Sequence, residues 1–453
     1  MANSKLKTMP LTEGKGQNSR LSVWLITDVF PPASGGSGWS TYYLGKALVE
    51  RGHSVRVVRP RYGESVVRPT RRVVEYEGLP VEEVLVPAAP SWATRLGMGK
   101  AWEERRAVRL LTRYVSDAAI RGEVDIIHGQ HIVSVIASSQ AARLARRQGG
   151  RVRAVGTVRD YWPLCPVSTR LFTNSDGSSF ECEECHRLPA YMECVGQSKG
   201  RKVSSLPVAL LRWVKSARAG RALGRCDAVI AVSDYVRGEL ERSKRVNGGK
   251  LVTLPNMVDL ASVDNALLSK WPLTDIAPGD RFLLFVGKWD LNKGAQMLPE
   301  VVKRSGIKLP VVLAGEGLLR DFIQTEAAQL DLDFRFYDWL DNDAAILLMR
   351  HATALLFPSA WQEPLSRVLL EGCAAGAAIV VLDTGGTRDV ISHGESGWLA
   401  HDMSSFAEGI RAVVDNAELS QALRTGARHC AEEKFASDHV SARVETLYRR
   451  LLA

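Results

Sequence analysis

Phe357-Pro358-Ser359-Ala360-Trp361-Gln362-Glu363-Pro364 is the stretch from which the fold can be read, and a second carboxylate, Glu371, follows eight residues after the first. The apolar run 354–357 predicts a buried parallel strand. Pro364 predicts a helix start, because a missing N–H costs nothing in a first helical turn. The unpaired amides behind it, together with the helix macrodipole, favour an anion such as a phosphate at the strand end. Eight helical residues at about 1.5 Å each would set Glu363 and Glu371 about 12 Å apart along one cleft. Two acceptors at that span can hold both ends of one extended ligand, one on sugar hydroxyls and one on a ribose. Taken alone, the spacing fits equally a solvated helix start with two unrelated glutamates.

The pattern continues in order through Leu370-Glu371-Gly372 and Thr384-Gly385-Gly386-Thr387-Arg388-Asp389-Val390-Ile391. The combination resembles the C-terminal signature of the family 4 retaining glycosyltransferases, PSxxQEPFGxVxxEAxAxGxPVVxxxxGGxxEVI, and the likeness runs from Leu21 onward. It implies an α/β protein of the GT-B fold, two Rossmann-like doubly wound domains facing a central cleft. It also implies transfer of a sugar from a nucleotide-sugar donor to an acceptor hydroxyl with retention of configuration, in cell-surface polysaccharide or glycolipid synthesis. Carried over residue by residue, Glu371 would hold ribose hydroxyls, Glu363 sugar hydroxyls, and Pro364, Leu365 and Ser366 would line the donor. Leu365-Ser366 stands where Phe-Gly is usual, so the Ser366 side chain would crowd a backbone contact to the sugar and bear on which sugar is taken.

A chain of 453 residues, 45% hydrophobic and 24% charged, suits a soluble protein of two domains. No apolar run approaches the roughly 18 residues that a membrane-spanning helix needs. Residues 1–20 are polar without an apolar core segment and read as a disordered tail, from which a cytoplasmic location and reduced cysteines are expected. Residues 1–250 hold 40 Lys and Arg against 23 Asp and Glu, whereas the remainder hold 19 against 27. A basic first half suits an anionic partner: a membrane face, a lipid-linked phosphate or a nucleic acid. An arginine-rich surface without a partner is the plain alternative. Under the resemblance, a lipid-linked or other anionic acceptor and peripheral membrane contact are expected, and no nucleic acid.

Strand and helix patterns alternate in both halves, which predicts parallel sheets. Residues 22–26 form the first strand, a glycine loop follows, and a helix is expected from about Ser40 to Arg51 before a second strand at 55–58. The expected organisation is an acceptor-side domain at 21–256 with a cysteine-rich insert at about 160–200, a hinge at 257–280, and a nucleotide-sugar-binding domain at 281–436. A final helix at 437–453 is expected to pack back on the first domain.

Gly35-Gly36 permits close approach of the backbone to a ligand, although such a loop alone is more often only a turn; under the resemblance it meets the donor phosphates. Val286-Gly287-Lys288-Trp289-Asp290-Leu291-Asn292-Lys293-Gly294 is similar to the family's VGRLxxxKG. There Gly287 borders the donor, and Lys288 and Lys293 are the candidate cations for a leaving diphosphate. Lysine at 288 lacks the two-pronged fork of arginine. Val158-Arg159-Asp160-Tyr161-Trp162 resembles the family's HDYW element, with Arg159 where histidine is usual. An arginine there can contact a phosphate but cannot act as a base. Asn256 is expected to shape a turn, and Gly315-Glu316-Gly317 with 337–340 to border the base. His128 or His131 could face the cleft.

Cys165, Cys182, Cys185 and Cys194 fall within thirty residues, in a loop with little to bury. Four thiols so spaced predict a closed structural zinc site, with an iron–sulfur cluster as the alternative. No metal is expected at the reaction centre. Residues 206–218 read as a basic amphipathic helix carrying Trp213, which either lies on an anionic membrane or packs on its own core. A non-catalytic binding protein of the same fold, for an anionic membrane or nucleic acid, is the rival class.

Overall fold

The computed structural model describes residues 19–32, 34–64, 66, 70–173, 179–182 and 206–453. The first domain is built on β1 (Ser22–Ile26), β2 (Ser54–Glu64), β3 (Arg71–Tyr76), β4 (Leu79–Pro87), β5 (Ile126–Gly129) and β6 (Arg153–Val158). A separate hairpin, β7 (Leu171–Thr173) with β8 (Ser179–Glu181), precedes β9 (Ala228–Ala231) and β10 (Leu251–Thr253). The main sheet has the order β10-β9-β6-β5-β1-β2-β4-β3 and is parallel except for the β3–β4 pair. The second domain carries β11 (Leu283–Val286), β12 (Val311–Ala314), β13 (Phe334–Tyr337), β14 (Ala354–Phe357), β15 (Ile379–Leu382) and β16 (Trp398–Ala400). Its order is β13-β12-β11-β14-β15-β16, parallel throughout. Runs such as Ala-Leu-Leu-Phe and Ile-Val-Val-Leu are apolar at every position because helices cover both faces, and all eight residues are buried.

Both sheets reverse their strand order beside the strand that opens the domain: β1 lies between β5 and β2, and β11 between β12 and β14. Ligands of doubly wound sheets bind in the crevice at such a point, outside the carboxyl ends of the strands. The loops leaving β1 and β11 are those carrying Gly35-Gly36 and Gly287 to Lys293.

Two helix starts differ from expectation. The helix after β1 spans Gly36–Glu50, so Gly35 is its N-cap and Gly36 its first residue. The helix after β14 spans Arg367–Ala374, not from Pro364. Residues before it are held extended by the turn at Gly385-Gly386. The Gly386 amide donates to the Glu363 carbonyl at 2.6 Å, and a Cβ on Gly385 would lie 2.5 Å from that oxygen. Tertiary pinning of the backbone therefore outweighs the start signal of proline. Only Glu371 is helical, and the 12 Å helical spacing does not apply.

The chain crosses between domains twice, side by side. The Val258 amide donates to the Phe435 carbonyl at 2.8 Å and the Ser437 amide to the Val258 carbonyl at 3.0 Å. The last helix, Ser437–Leu452, buries Val440, Val444, Leu447 and Tyr448 in one apolar cluster with Leu44, Leu48 and Val57 of the first domain.

Candidate functional site

Lys293 ends a short 3-10 turn, Leu291–Lys293, that Asp290 caps by accepting from the Lys293 amide at 3.0 Å. The next residue, Gly294, has φ +71°, and a Cβ there would stand 1.8 Å from the Pro358 carbonyl oxygen. Only glycine lets this loop cross the end of β14. The crossing sets the Lys293 ammonium 2.5 Å from Glu363, whose carboxylate also accepts from the Ser359 hydroxyl at 2.9 Å. Lys293 stands 5.5 Å from the Trp361 ring centre and 5.9 Å from that of Phe357. Glu363 is buried and Lys293 keeps part of its surface open to the cleft.

Glu371 lies one turn into its helix and is buried, with the Arg367 guanidinium 2.6 Å away. Leu365 and Ser366 are buried, and Ser366 is the N-cap without a capping hydrogen bond from its side chain. Gly287 has φ +144°, and its carbonyl packs so closely on Gly315 that a Cβ at 315 would lie 2.0 Å from it. Lys288 is exposed and forms no ion pair among the described residues. The two lysines expected to act together are thus separated: one is paired with Glu363, the other faces solvent.

Across the cleft, Gly35-Gly36 opens a helix with no acidic residue in its first turn and no side-chain cap. A Cβ on Gly36 would meet Arg367 Cδ at 3.0 Å, so the two lobes touch here. Arg159, beyond β6, donates to Asn256 Oδ1 at 3.1 Å and to the Gln130 carbonyl at 3.2 Å. Burial, with the charge of Arg367 adding to it, pushes its pKa down to about 9, so the guanidinium stays charged at neutral pH. Asp160 accepts from the Trp162 amide at 2.8 Å, and burial raises its carboxyl to about 6. His131 is held neutral, burial lowering it to about 3, while its Nε2 has no partner among the described residues. His128 packs between Tyr448 and Thr157, 2.6 Å from each hydroxyl, and is structural. The lobes are joined by the Tyr161 hydroxyl donating to the Gln362 carbonyl at 2.7 Å and by the Tyr235 amide donating to Asp389 at 3.2 Å.

A cavity of about 1110 Å³ adjoins this region, walled by Asp28, His131 and Asp160 on one side and by Asp290 to Asn292 and Leu318 on the other. Its apolar wall includes Ile136, Trp162, Leu211 and Val214. Glu363 and Glu371 do not line it, so it lies beside the paired acids and not over them. The Asp28 carboxylate accepts from the amides of Val133 and Ser134 at the start of the helix Ile132–Arg147, at 3.0 and 2.8 Å.

Two family models match in tandem. One, described as Glycosyltransferase Family 4, covers residues 34–262, just over half of the chain; the other, described as Glycosyl transferases group 1, covers residues 274–429. The chain belongs to glycosyltransferase family 4. This family 4 member is 28% identical to O-antigen chain mannosyltransferase C of Escherichia coli, over 51% of this chain and 63% of that protein. It is 29% identical to a phosphatidyl-myo-inositol mannosyltransferase of Mycolicibacterium smegmatis, over 42% of this chain and 49% of that protein. A glycogen synthase of Mycobacterium tuberculosis matches at 26% over 43% of this chain and 49% of that protein. The matched regions span between about half and 63% of the length of these curated relatives.

Solved structures extend the likeness to the whole fold. An Anabaena protein, HepE, in complex with UDP superposes with a TM-score of 0.64 at 15% identity, covering 94% of this chain and 99% of that one. The sucrose-phosphate synthase of Thermosynechococcus elongatus gives 0.64 at 18%, covering 95% and 99%. The family 4 chain therefore has the GT-B fold.

Within that frame the cysteine set is only partly placed. Cys165 is buried in the turn after Tyr161, and the Cys182 amide donates to the Arg170 carbonyl at 2.7 Å while the Arg170 side chain donates through Nε to the Cys182 carbonyl at 3.1 Å. Cys185 and Cys194 lie outside the described residues. Among the described residues no three His, Cys, Asp or Glu side chains come together as metal ligands would. Sequence reasoning missed Arg367, which stands four residues before Glu371 and thus on its helix face, and Gln362, whose amide oxygen accepts from Gly385 at 2.5 Å. The four-residue spacing was the available signal for the first.

Proposed function

We propose that this family 4 member transfers a sugar from a nucleotide-sugar donor to an acceptor hydroxyl with retention of configuration. The carrying observation is that Glu363 and Glu371, both buried, are each held by one cation at the carboxyl end of β14, opposite the open helix start at Gly35-Gly36. Side chains so positioned can turn to sugar and ribose hydroxyls at little cost in order. In the reaction, the bond from the sugar's anomeric carbon to the diphosphate oxygen breaks and the acceptor oxygen bonds to the same face. The acceptor's proton passes to the departing diphosphate oxygen, so no side chain has to serve as base. Arg159 would contribute charge only. Cations and helix amides supply the positive field in this reading, and contacts such as Tyr161 to Gln362 would keep water from the donor.

The cavity beside the acids is the acceptor site in this reading. Its wall mixes apolar side chains with Lys100, Arg105, Arg212 and Arg218, none of which forms an ion pair among the described residues. Trp92, Leu96, Leu210 and Val214 are exposed on the same two helical regions. A lipid-linked, anionic acceptor fits that chemistry, with peripheral contact on the cytoplasmic face of a membrane, in polysaccharide or glycolipid synthesis. The names of the Escherichia coli and Mycolicibacterium relatives support the same direction. Cys165, Cys182, Cys185 and Cys194 would hold a structural zinc, or an iron–sulfur cluster. Metal analysis of purified protein finding neither removes that assignment.

A panel of nucleotide sugars screened by thermal shift, followed by product analysis with lipid-diphosphate acceptors, tests the whole reading. A stabilising donor and an α-for-α or β-for-β product are expected. Full activity in Glu371→Ala would contradict it.

A further inference from the structure

We propose that Arg170, at the root of the β7–β8 hairpin, is a positioning residue for Glu363: it fixes the Tyr161 ring, and the Tyr161 hydroxyl fixes the segment of the other lobe that carries the acid. The chain between Tyr161 and Arg170 turns back on itself. The Tyr161 carbonyl accepts from the amides of Leu164 and Cys165 at 2.8 and 2.7 Å, and the Cys165 carbonyl from that of Ser168 at 3.0 Å. Ser168 and Arg170 then take φ of +66° and +54°, left-handed values that a residue with a Cβ rarely adopts. The reversal lays the Arg170 guanidinium over the Tyr161 ring, 5.4 Å from its centre, where the face of the ring attracts a cation.

The guanidinium is itself held in place. Glu239, on the helix Asp234–Arg242, pairs with it where both side chains are buried, and Nε donates to the Cys182 carbonyl. A buried ion pair adds little net stability, because taking two charges out of water costs about as much as their attraction returns. A left-handed backbone at a residue with a long side chain costs about 1 kcal/mol or more besides. Neither feature is what a chain needs merely to close a hairpin. Both serve to hold one side chain in one place, and what that side chain covers is Tyr161.

Tyr161 is buried and reaches across to the second lobe. Its hydroxyl donates to the Gln362 carbonyl at 2.7 Å, and its ring stands perpendicular to that of Trp361, 6.1 Å between centres. From its own lobe the same segment is held by Gly385 and Gly386, whose amides donate to the Gln362 side chain at 2.5 Å and to the Glu363 carbonyl at 2.6 Å. Trp361 in turn faces the Lys293 ammonium, which pairs with Glu363. Residues 361–363 are therefore clamped from both lobes, and the clamp from the first lobe is as firm as the aim of the Tyr161 ring. The consequence for transfer rests on the donor reading above. A Glu363 displaced by a fraction of an ångström leaves nucleotide binding by the rest of the second lobe in place, but it meets the transferring sugar in the wrong geometry. The β7–β8 hairpin thus serves the reaction centre without touching it.

Hydrogen exchange read by mass spectrometry, and steady-state transfer, test this on the full chain in wild type, Arg170→Met, Arg170→Lys, Tyr161→Phe, the double variant Arg170→Met with Tyr161→Phe, and the control Arg242→Met. Arg170→Met leaves Glu239 paired with Arg242, so no carboxylate is stranded and the fold is expected to survive. Should it fail to fold, Glu239→Gln, which loosens Arg170 without removing it, carries the same expectations. In Arg170→Met and in Tyr161→Phe, exchange should rise in peptides covering 359–366 while β12 stays protected. Their kcat should fall about tenfold with the KM for donor changed less than about twofold. Arg170→Lys, which keeps a cation for the ring, should recover part of that loss, and Arg242→Met, exposed on the same carboxylate, should match wild type. Because both residues act by one route, the double variant should lose no more than the worse single; losses that multiply to about a hundredfold would place Arg170 on another route and overturn the proposal. Faster exchange at 161–172 with none at 359–366 would overturn it too, since Arg170 would then prop only its own hairpin. So would faster exchange at 359–366 with kcat unchanged. If wild type transfers no sugar from any nucleotide donor, the donor reading fails by itself, and the exchange at 359–366 alone decides whether Arg170 positions Glu363.

Discussion

The Lys293–Glu363 pair separates a structural from a catalytic contribution at the scale of single residues. Lys293→Met strands a buried carboxylate and should cost about 2 kcal/mol, less than a fully buried pair because Lys293 is partly open. Lys293→Met with Glu363→Leu should recover most of that stability in chemical denaturation, yet transfer should stay at least about a hundredfold down. Asp160 gives a pH signature. Its folded pKa of about 6 lies above the unfolded value, so the folded state holds a proton that the unfolded chain releases between about pH 4 and 6. Its contribution is therefore full at low pH and is lost as pH rises through 6. Against Asp160→Asn, wild type should gain about 2 kcal/mol on going from pH 7 to 4, and a flat difference would show that the carboxyl is not desolvated. That Lys293 follows the end of β11 and that Glu363 and Glu371 follow the end of β14 was legible in the sequence, because both strands read as apolar runs. The contact of Arg159 with Asn256 was not, because the two stand 97 residues apart in the chain.

Elements were legible where the interior imposes them and illegible where the backbone is held from outside. The fully buried strands β12, β14 and β15, and β11 with three of its four residues buried, announce themselves as uniform apolar runs. The start at Pro364 misled because the Gly385-Gly386 turn, beyond the next helix and strand, claims the Glu363 carbonyl. The β3–β4 hairpin escaped notice altogether. Its inward charges, Glu82 and Glu83, blur the alternation that marks a strand, and only the structure shows them buried by Arg56, Arg59, Arg71 and Arg72. Glycines in the loops carry the sharper prediction. At Gly294 both φ and the Pro358 carbonyl exclude a Cβ, so Gly294→Ala should displace Lys293 from Glu363. A loss of about 2–3 kcal/mol with near-complete loss of transfer is expected. Gly306→Ala, positive in φ but with open space around it, should cost only about 1 kcal/mol and leave the rate intact.

At the scale of the whole molecule, the excess of positive charge in the first half and the exposed apolar residues near the cavity make one physical statement about where the protein works. The two-domain plan follows from length and alternation, but the meeting of charge with apolar surface needed the fold. Trp92 and Leu96, just before the Gly97 and Met98 that line the cavity, reach solvent, as do Leu210 and Val214 on the helix Leu206–Arg225. Such apolar side chains, on the helical segments that also carry Lys100, Arg212 and Arg218 of the cavity wall, would enter the headgroup layer of an anionic bilayer while the cations meet phosphate, each cation adding about 1 kcal/mol. Binding to vesicles containing about one-third anionic lipid should then be strong at low salt and weaken steeply by about 0.5 M, as surface charges are screened. Trp92→Asp with Leu96→Asp should lower flotation with such vesicles about tenfold or more, without changing donor hydrolysis in solution. Equal recovery with neutral and anionic vesicles, or an unaltered double variant, would mean that these residues cover something other than a membrane and that the acceptor reaches the cavity from solution.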